Sequence, residues 1–65
     1  MKLYKVIVKE HEIIKYKKNG EIVEEKNVRL NVYDNMGCGY EMKEVENLVK
    51  FEKRFENREI EVKEM

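Results

Sequence analysis

Several residue types are missing from this 65-residue chain. It contains no proline, tryptophan, alanine, serine, threonine or glutamine, and only one cysteine and one histidine. A single cysteine excludes an internal disulfide, and Cys38 with His11 falls short of the usually four ligands of a structural zinc site. We therefore expect one small domain, residues 1–65, which depends on packing or self-association for its stability.

Long apolar runs are also missing. The longest near the amino end is Val6-Ile7-Val8, which is much shorter than a signal sequence or a membrane span. We therefore expect a cytoplasmic protein, in its host or in an infected cell, that does not bind membranes. The single cysteine fits a reducing compartment. The abundant lysine and glutamate are typical of thermophile proteins, and an AT-rich genome explains the lysine and asparagine content equally well.

Charge is balanced overall but unevenly distributed. The 14 lysines and arginines offset 14 aspartates and glutamates, so the net charge is zero. Residues 1–18 hold six lysines and two glutamates, a sum of +4, which leaves −4 for residues 19–65. This asymmetry predicts a basic face on the first part of the chain.

The strongest local signal is Asn19-Gly20, which lies between two runs rich in valine, isoleucine and tyrosine. Both residues tolerate positive φ angles, so the pair predicts a two-residue type I′ turn of a β-hairpin. The first run, residues 3–17, fits one long bent strand or two strands broken near residues 10–12. The turn sets Lys18 opposite Glu21 and, further out, Val8 opposite Asn31. Because that last pairing is poor, we expect a β-bulge within residues 24–27.

The rest of the chain predicts a strand, a helix and a closing strand. Valine and leucine alternate with polar residues over 28–33, which indicates a half-buried strand. A helix is expected from about Tyr40 to Glu56, with Asn57 as its left-handed cap. Its apolar stripe comprises Met42, Val45, Leu48, Val49, Phe51 and Phe55. The closing strand, residues 59–63, should turn Ile60 and Val62 inward.

These elements predict an α+β fold built on a small antiparallel sheet, in the order β-β(-β)-α-β. One helix packs on one sheet face, and the hairpin around Asn19-Gly20 protrudes. Ile13, Ile14, Ile22 and Val23 lie near the hairpin tip, beyond the reach of a helix of this length. Either the hairpin presents them to a partner, or it curls back over the helix.

The chemistry-bearing residues give no active-site pattern. Gly37 and Gly39 precede the helix, but the loop lacks the lysine and hydroxyl residues of a phosphate-binding loop, and acidic residues follow it. Cys38 has no nearby base in the sequence. His11 points away from its neighbours Glu10 and Glu12 on a strand, a geometry unsuited to metal binding. We therefore predict no catalytic, cofactor or metal site and a protein that is not an enzyme.

One loop resembles a known family. In the predicted strand and helix order, Asp34-Asn35-Met36-Gly37-Cys38 is similar to the turn before the helix in small HicB-like antitoxin domains. The proline usual in that turn is absent here, as are the threonine and alanine residues that open and fill the family's helix. The resemblance covers one loop and transfers no functional residue.

By elimination, the sequence predicts a small accessory or regulatory interaction protein, of a kind that viruses and mobile elements encode, which binds a macromolecular partner through its sheet or hairpin. A protein partner is favoured, and a homodimer is also considered. The predicted partner-binding residues are Lys9, Ile13, Lys15, Tyr16, Lys17, Ile22 and Val23. The alternative is a nucleic-acid-binding protein that uses a lysine-rich first strand with stacking tyrosines. Its predicted contacts are Lys5, Lys9, Lys15, Lys17 and Tyr16, with Tyr4 and Tyr33 as further stacking residues.

Overall fold

The computed structural model describes residues 2–65. Within that range the elements are β1 (Tyr4–Lys18), β2 (Glu21–Tyr33), α1 (Met42–Glu52) and β3 (Arg58–Glu64). The three strands form one antiparallel sheet in the order β2-β1-β3. The predicted α+β fold with a hairpin is confirmed.

The hairpin turn adopts the predicted conformation. Asn19 has φ 52° and Gly20 has φ 82°, as a type I′ turn requires. From Lys18 opposite Glu21, the β1–β2 register continues without interruption to Val6 opposite Tyr33. The predicted bulge at 24–27 is therefore wrong. It was inferred because Val8 faces Asn31, but that pairing carries little cost, since α1 packs mainly on β1 and β3, contacts β2 through Tyr33 and leaves Asn31 exposed.

The first apolar run is a single long strand, and only its first half is paired on both sides. β3 pairs with Tyr4–Glu10, so residues 12–27 extend beyond the sheet as a two-stranded segment, the hairpin arm. The molecule measures 58 × 21 × 14 Å, with a radius of gyration of 16.1 Å. A compact chain of this length would have a radius of gyration of about 11 Å. The hairpin therefore protrudes and does not curl back over the helix.

Strand pairing assigns each residue to one of two sheet faces. Val6 and Val8 lie beneath α1, so their side of the sheet is the helix-side face. This face consists of the even-numbered residues of β1 and β3 and the odd-numbered residues of β2. Odd-numbered residues of β1 and β3 and even-numbered residues of β2 form the opposite, helix-free face. This assignment decides which side chains the fold leaves accessible.

The apolar core is very small. Among the described residues, only Val6, Val8 and Val45 are fully buried apolar side chains. Partly buried side chains complete the core: Tyr4, Tyr33, Tyr40, Leu48, Val49 and Ile60. Ile60 points inward as predicted, and Val62 shares its face but stays 40% exposed. Such a core gives limited stability to a chain of this size.

The helix is shorter than the predicted range of 40–56. It begins after Glu41, whose N–H donates to the Glu44 carboxylate at 3.2 Å, and it ends at Glu52. Phe51 and Phe55 lie outside the packed stripe and contact each other edge to face, with ring centroids 5.9 Å apart. Asn57 is not a left-handed cap. Its side-chain amide instead donates to the His11 carbonyl at 2.8 Å.

A buried carboxylate joins all four elements. Glu52 is 1% exposed and lies on the same side of α1 as Val45. It accepts a hydrogen bond from the Tyr33 hydroxyl at 2.8 Å and pairs with the Arg58 guanidinium. Arg58 also lies over the Phe55 ring at 3.9 Å and 3.8 Å from the Glu10 carboxylate. The cluster therefore ties β2, α1, β3 and β1 together at the base of the hairpin arm.

This cluster predicts sensitivity to alkaline pH. The hydrogen bond to Glu52, followed by burial, raises the pKa of Tyr33 above its usual value. Folding thus favours the neutral phenol, and the resulting stability is fully present below the unfolded pKa of about 10. It is lost as pH rises through the higher folded pKa. We expect the melting temperature to fall less steeply above about pH 10 in Tyr33→Phe than in the parent chain. Equal slopes in thermal denaturation followed by circular dichroism would contradict this role of Tyr33.

Candidate interaction surface

The helix-free face carries an exposed apolar row on β2. Val28, Leu30 and Val32 occur at every second residue and are 58%, 58% and 49% exposed. The alternation was expected to turn one face of this strand into the core, but these side chains point away from it. The uninterrupted register causes this, because it places even residues of β2 beside odd residues of β1.

Two isoleucines of β1 extend this row. Ile7 pairs with Val32, and Ile13, which is 58% exposed, pairs with Lys26 further along the arm. We call Ile7, Ile13, Val28, Leu30 and Val32 the apolar strip. A row of exposed apolar side chains of this kind on an otherwise highly charged protein is typical of an interaction site.

Lysines border the apolar strip. Lys5, Lys9, Lys15 and Lys17 all lie on the helix-free face, together with Lys26 and Lys63. Glu24, Glu59 and Glu61 are the acidic residues of that sheet face, so its net charge is 6 − 3 = +3. Glu21 and Glu25, the other two glutamates of β2, lie on the helix-side face. The helix-free face therefore has the basic character that the uneven charge distribution of the sequence predicts.

The structure brings together part of the predicted partner-binding set. Lys9, Ile13, Lys15, Lys17 and Ile22 share the helix-free face, whereas Tyr16 and Val23 lie on the helix-side face of the arm. A shallow depression of about 230 Å³ on the arm is lined by Lys15, Tyr16, Lys17 and Ile22. Ile22 is 73% exposed. The arm therefore presents accessible apolar side chains next to lysines.

The tyrosines do not form the stacking platform that the nucleic-acid alternative requires. Tyr4 and Tyr33 pack against the core on the helix-side face, away from the lysines. Tyr16 borders the depression on the arm, but its hydroxyl donates to Glu25 at 2.8 Å on the helix-side face. Stacking of bases by several tyrosines beside the lysine row is thus not supported by the geometry.

Further apolar surface lies between α1 and β3. A groove of about 360 Å³ is lined by Met42, Val45, Glu46, Val49, Lys50, Lys53 and Val62. Met42 and Val62, which line this groove from α1 and β3, are about two-fifths exposed, at 43% and 40%. The groove is separate from the apolar strip, because Val62 belongs to the helix-side face.

The residues considered for catalysis or metal binding are dispersed. Cys38 is exposed in the turn before α1, where its N–H donates to the Asn35 carbonyl at 3.1 Å. His11 Nε2 lies 3.4 Å from the Glu59 carboxylate on the neighbouring strand. Across residues 2–65, histidine, cysteine, aspartate and glutamate side chains form no group of three or more suited to hold a metal ion. These residues thus provide no assembled site.

No protein-family model, curated protein or solved structure matches this chain. In the part of the chain that the structure describes, no helix has both the length and the apolar character needed to cross a bilayer. The function must therefore be inferred from the surface of the fold.

Proposed function

We propose that this protein is a non-enzymatic accessory or regulatory protein that binds a protein partner through its helix-free face and hairpin arm. The observation that carries this proposal is the apolar strip, which the fold leaves uncovered. Burying a valine or leucine side chain contributes about 1.5–3 kcal/mol. A partner that covers Val28, Leu30 and Val32 therefore recovers free energy that the isolated chain does not.

The charge of the same face specifies the partner's chemistry. Lysines surround the apolar strip, and the net charge of the face is 6 − 3 = +3. A complementary surface has an apolar centre and carboxylates at its rim. Electrostatic complementarity of this kind increases the association rate and selects the partner more than it adds affinity.

A pair of matched variants tests the proposal. Leu30→Glu places a carboxylate within the apolar strip, whereas Met36→Glu makes the same change of charge at a side chain that is 98% exposed in the turn before α1. Immobilised parent, Leu30→Glu and Met36→Glu proteins are incubated with extract from the cells that encode the chain. We expect a protein that the parent and Met36→Glu capture equally and that Leu30→Glu captures at least about tenfold less. Affinities measured with that purified partner should show the same difference.

If Leu30→Glu and Met36→Glu retain the same proteins, the helix-free face is not the binding surface and the proposal fails.

The nucleic-acid alternative is tested with labelled duplex and single-stranded oligonucleotides at about 50 and 200 mM salt. Salt-sensitive binding that Lys15→Glu abolishes, and that Leu30→Glu leaves intact, would replace the proposal with that alternative. Its support is the alignment of Lys5, Lys9, Lys15 and Lys17 on one face.

A further inference from the structure

The outer edge of β2 is a long, uncovered hydrogen-bonding surface. β2 spans 13 residues and is the edge strand of the sheet, with α1 lying over β1 and β3. Lys18 and Glu21 flank a two-residue turn, so they form a hydrogen-bonded pair, and such pairs then alternate along the hairpin. The N–H and C=O groups of the even-numbered residues of β2 consequently point away from β1. They are available to another strand.

The other open edges are better protected against pairing. β3 is only 7 residues long and alternates charged side chains along its exposed face. The arm segment of β1 carries Lys15, Lys17 and Lys18, and lysines on an edge oppose association with another strand. β2, by contrast, is long and unbroken, and it has apolar side chains at Ile22, Val28, Leu30 and Val32. It is therefore the edge most suited to pair.

We propose that the β2 edge pairs with the β2 edge of a second copy, antiparallel about a two-fold axis at Asn27. In this register Glu25 of each copy faces Arg29 of the other, and Ile22 faces Val32. The pairing uses the full 13 residues, places no like charges opposite each other, and forms about twelve backbone hydrogen bonds. The two sheets become one, with a two-fold symmetric interface of the commonest kind.

The neighbouring registers are less favourable. If the two strands slide by two residues so that the axis moves towards the turn, Lys26 faces Lys26 of the other copy and fewer residues are paired. A shift of two residues the other way sets Glu25 opposite Asn31, which removes both opposite-charge pairs. Since opposite charges that face each other across two strands stabilise the pairing and like charges oppose it, charge complementarity selects the register centred on Asn27.

The chain exposes more surface than a compact monomer of its mass. Its accessible surface is 5571 Å², whereas a compact monomer of 8.0 kDa would expose about 4,450 Å². The excess of about 1,100 Å² reflects the protruding hairpin arm, half of which is β2. This dimer goes beyond the proposed function, and it needs no other protein, so purified chain alone tests it.

Cysteine cross-linking tests the register directly. In a Cys38→Ser background, Asn27→Cys places two thiols across the two-fold axis, where the α-carbons of a non-hydrogen-bonded pair are about 4.5 Å apart, within disulfide range. The matched control is Glu21→Cys on the same strand and face, whose two copies would be about 40 Å apart. With oxidised glutathione, we expect a disulfide-linked dimer from Asn27→Cys at least about tenfold faster than from Glu21→Cys. Equal rates, or faster linkage of Glu21→Cys, would overturn the proposal.

Charge exchange tests the contact that selects the register. By sedimentation equilibrium, Arg29→Glu should weaken the dimer about fivefold or more, because Glu25 then faces a glutamate. The double variant Glu25→Arg with Arg29→Glu should restore the dimer.

Lys26→Pro removes an outward N–H without interrupting the pairing with β1. It should therefore be folded by circular dichroism and monomeric by sedimentation. A parent chain that stays monomeric at millimolar concentration, or a dimer unaffected by these changes, would refute the proposal. In that event the proposed function would still stand.

Discussion

Replacing Glu52 with alanine is expected to lower the free energy of unfolding by about 3–5 kcal/mol. The change leaves the Arg58 guanidinium without its buried counter-ion and the Tyr33 hydroxyl without its acceptor. Arg58 keeps only the more distant Glu10 carboxylate, at 3.8 Å. A domain of this length has a total stability of roughly 3–10 kcal/mol. The expected loss is therefore a large part of the total stability of the protein.

Urea denaturation followed by circular dichroism measures this loss. Glu61→Ala is the control, because Glu61 forms a surface ion pair with Lys63 at 3.7 Å and both side chains are more than half exposed. Such a pair contributes at most about 1 kcal/mol. Glu52→Gln should fall between the two variants, since it keeps the acceptor for Tyr33 but removes the charge. A Glu52→Ala protein as stable as Glu61→Ala would show that the cluster does not hold the fold together.

Gly39→Ala is expected to destabilise the protein by about 2–4 kcal/mol, for two independent reasons. Gly39 has φ 81°, a conformation unfavourable for alanine. An added Cβ would also lie 2.8 Å from Leu3 Cβ and 2.9 Å from Met65 Sδ. The Met65 side chain can move, but Leu3 cannot move freely, because its carbonyl accepts a hydrogen bond from the Met65 N–H at 2.9 Å.

Gly37→Ala separates the two contributions to this loss. Gly37 has φ 88°, similar to Gly39, but nothing lies within 4 Å of the position of its Cβ. It should therefore show only the conformational cost of about 1–2 kcal/mol. Thermal and urea denaturation of both variants give the comparison. Equal losses would show that the close approach of Gly39 to Leu3 is unimportant.

The hairpin was predictable because its signal is local. Asn19-Gly20 fixes the turn type, and the turn type fixes the register, so the pairing of Lys18 with Glu21 follows from the sequence. The bulge was predicted by assuming that Val8 and Asn31 must match each other. That assumption fails because coverage by the helix decides burial, and the helix covers Val8 on β1 but not Asn31 on β2.

Apart from Ile13, the exposed apolar strip was not predicted, and neither was the buried carboxylate; both depend on tertiary contacts. Alternation along β2 indicates that one face is apolar, but which face meets the helix depends on the uninterrupted register. Glu52 did give a signal, since it lies seven residues after Val45 and hence on the same side of the helix. Its burial is explained only by its partners Tyr33 and Arg58. These residues belong to β2 and β3, so the sequence of the helix alone does not reveal them.

Site-specific photo-cross-linking tests most directly whether the helix-free face is a binding surface. A benzophenone amino acid is incorporated at Leu30 or, as the control, at Met36, and the cells that encode the chain are irradiated. The apolar strip predicts covalent adducts from position 30 that position 36 does not form. An adduct with twice the mass of the chain identifies the second copy, and other masses identify a different protein. Adducts from position 36 alone, or no adduct from position 30, would contradict a binding role for this face.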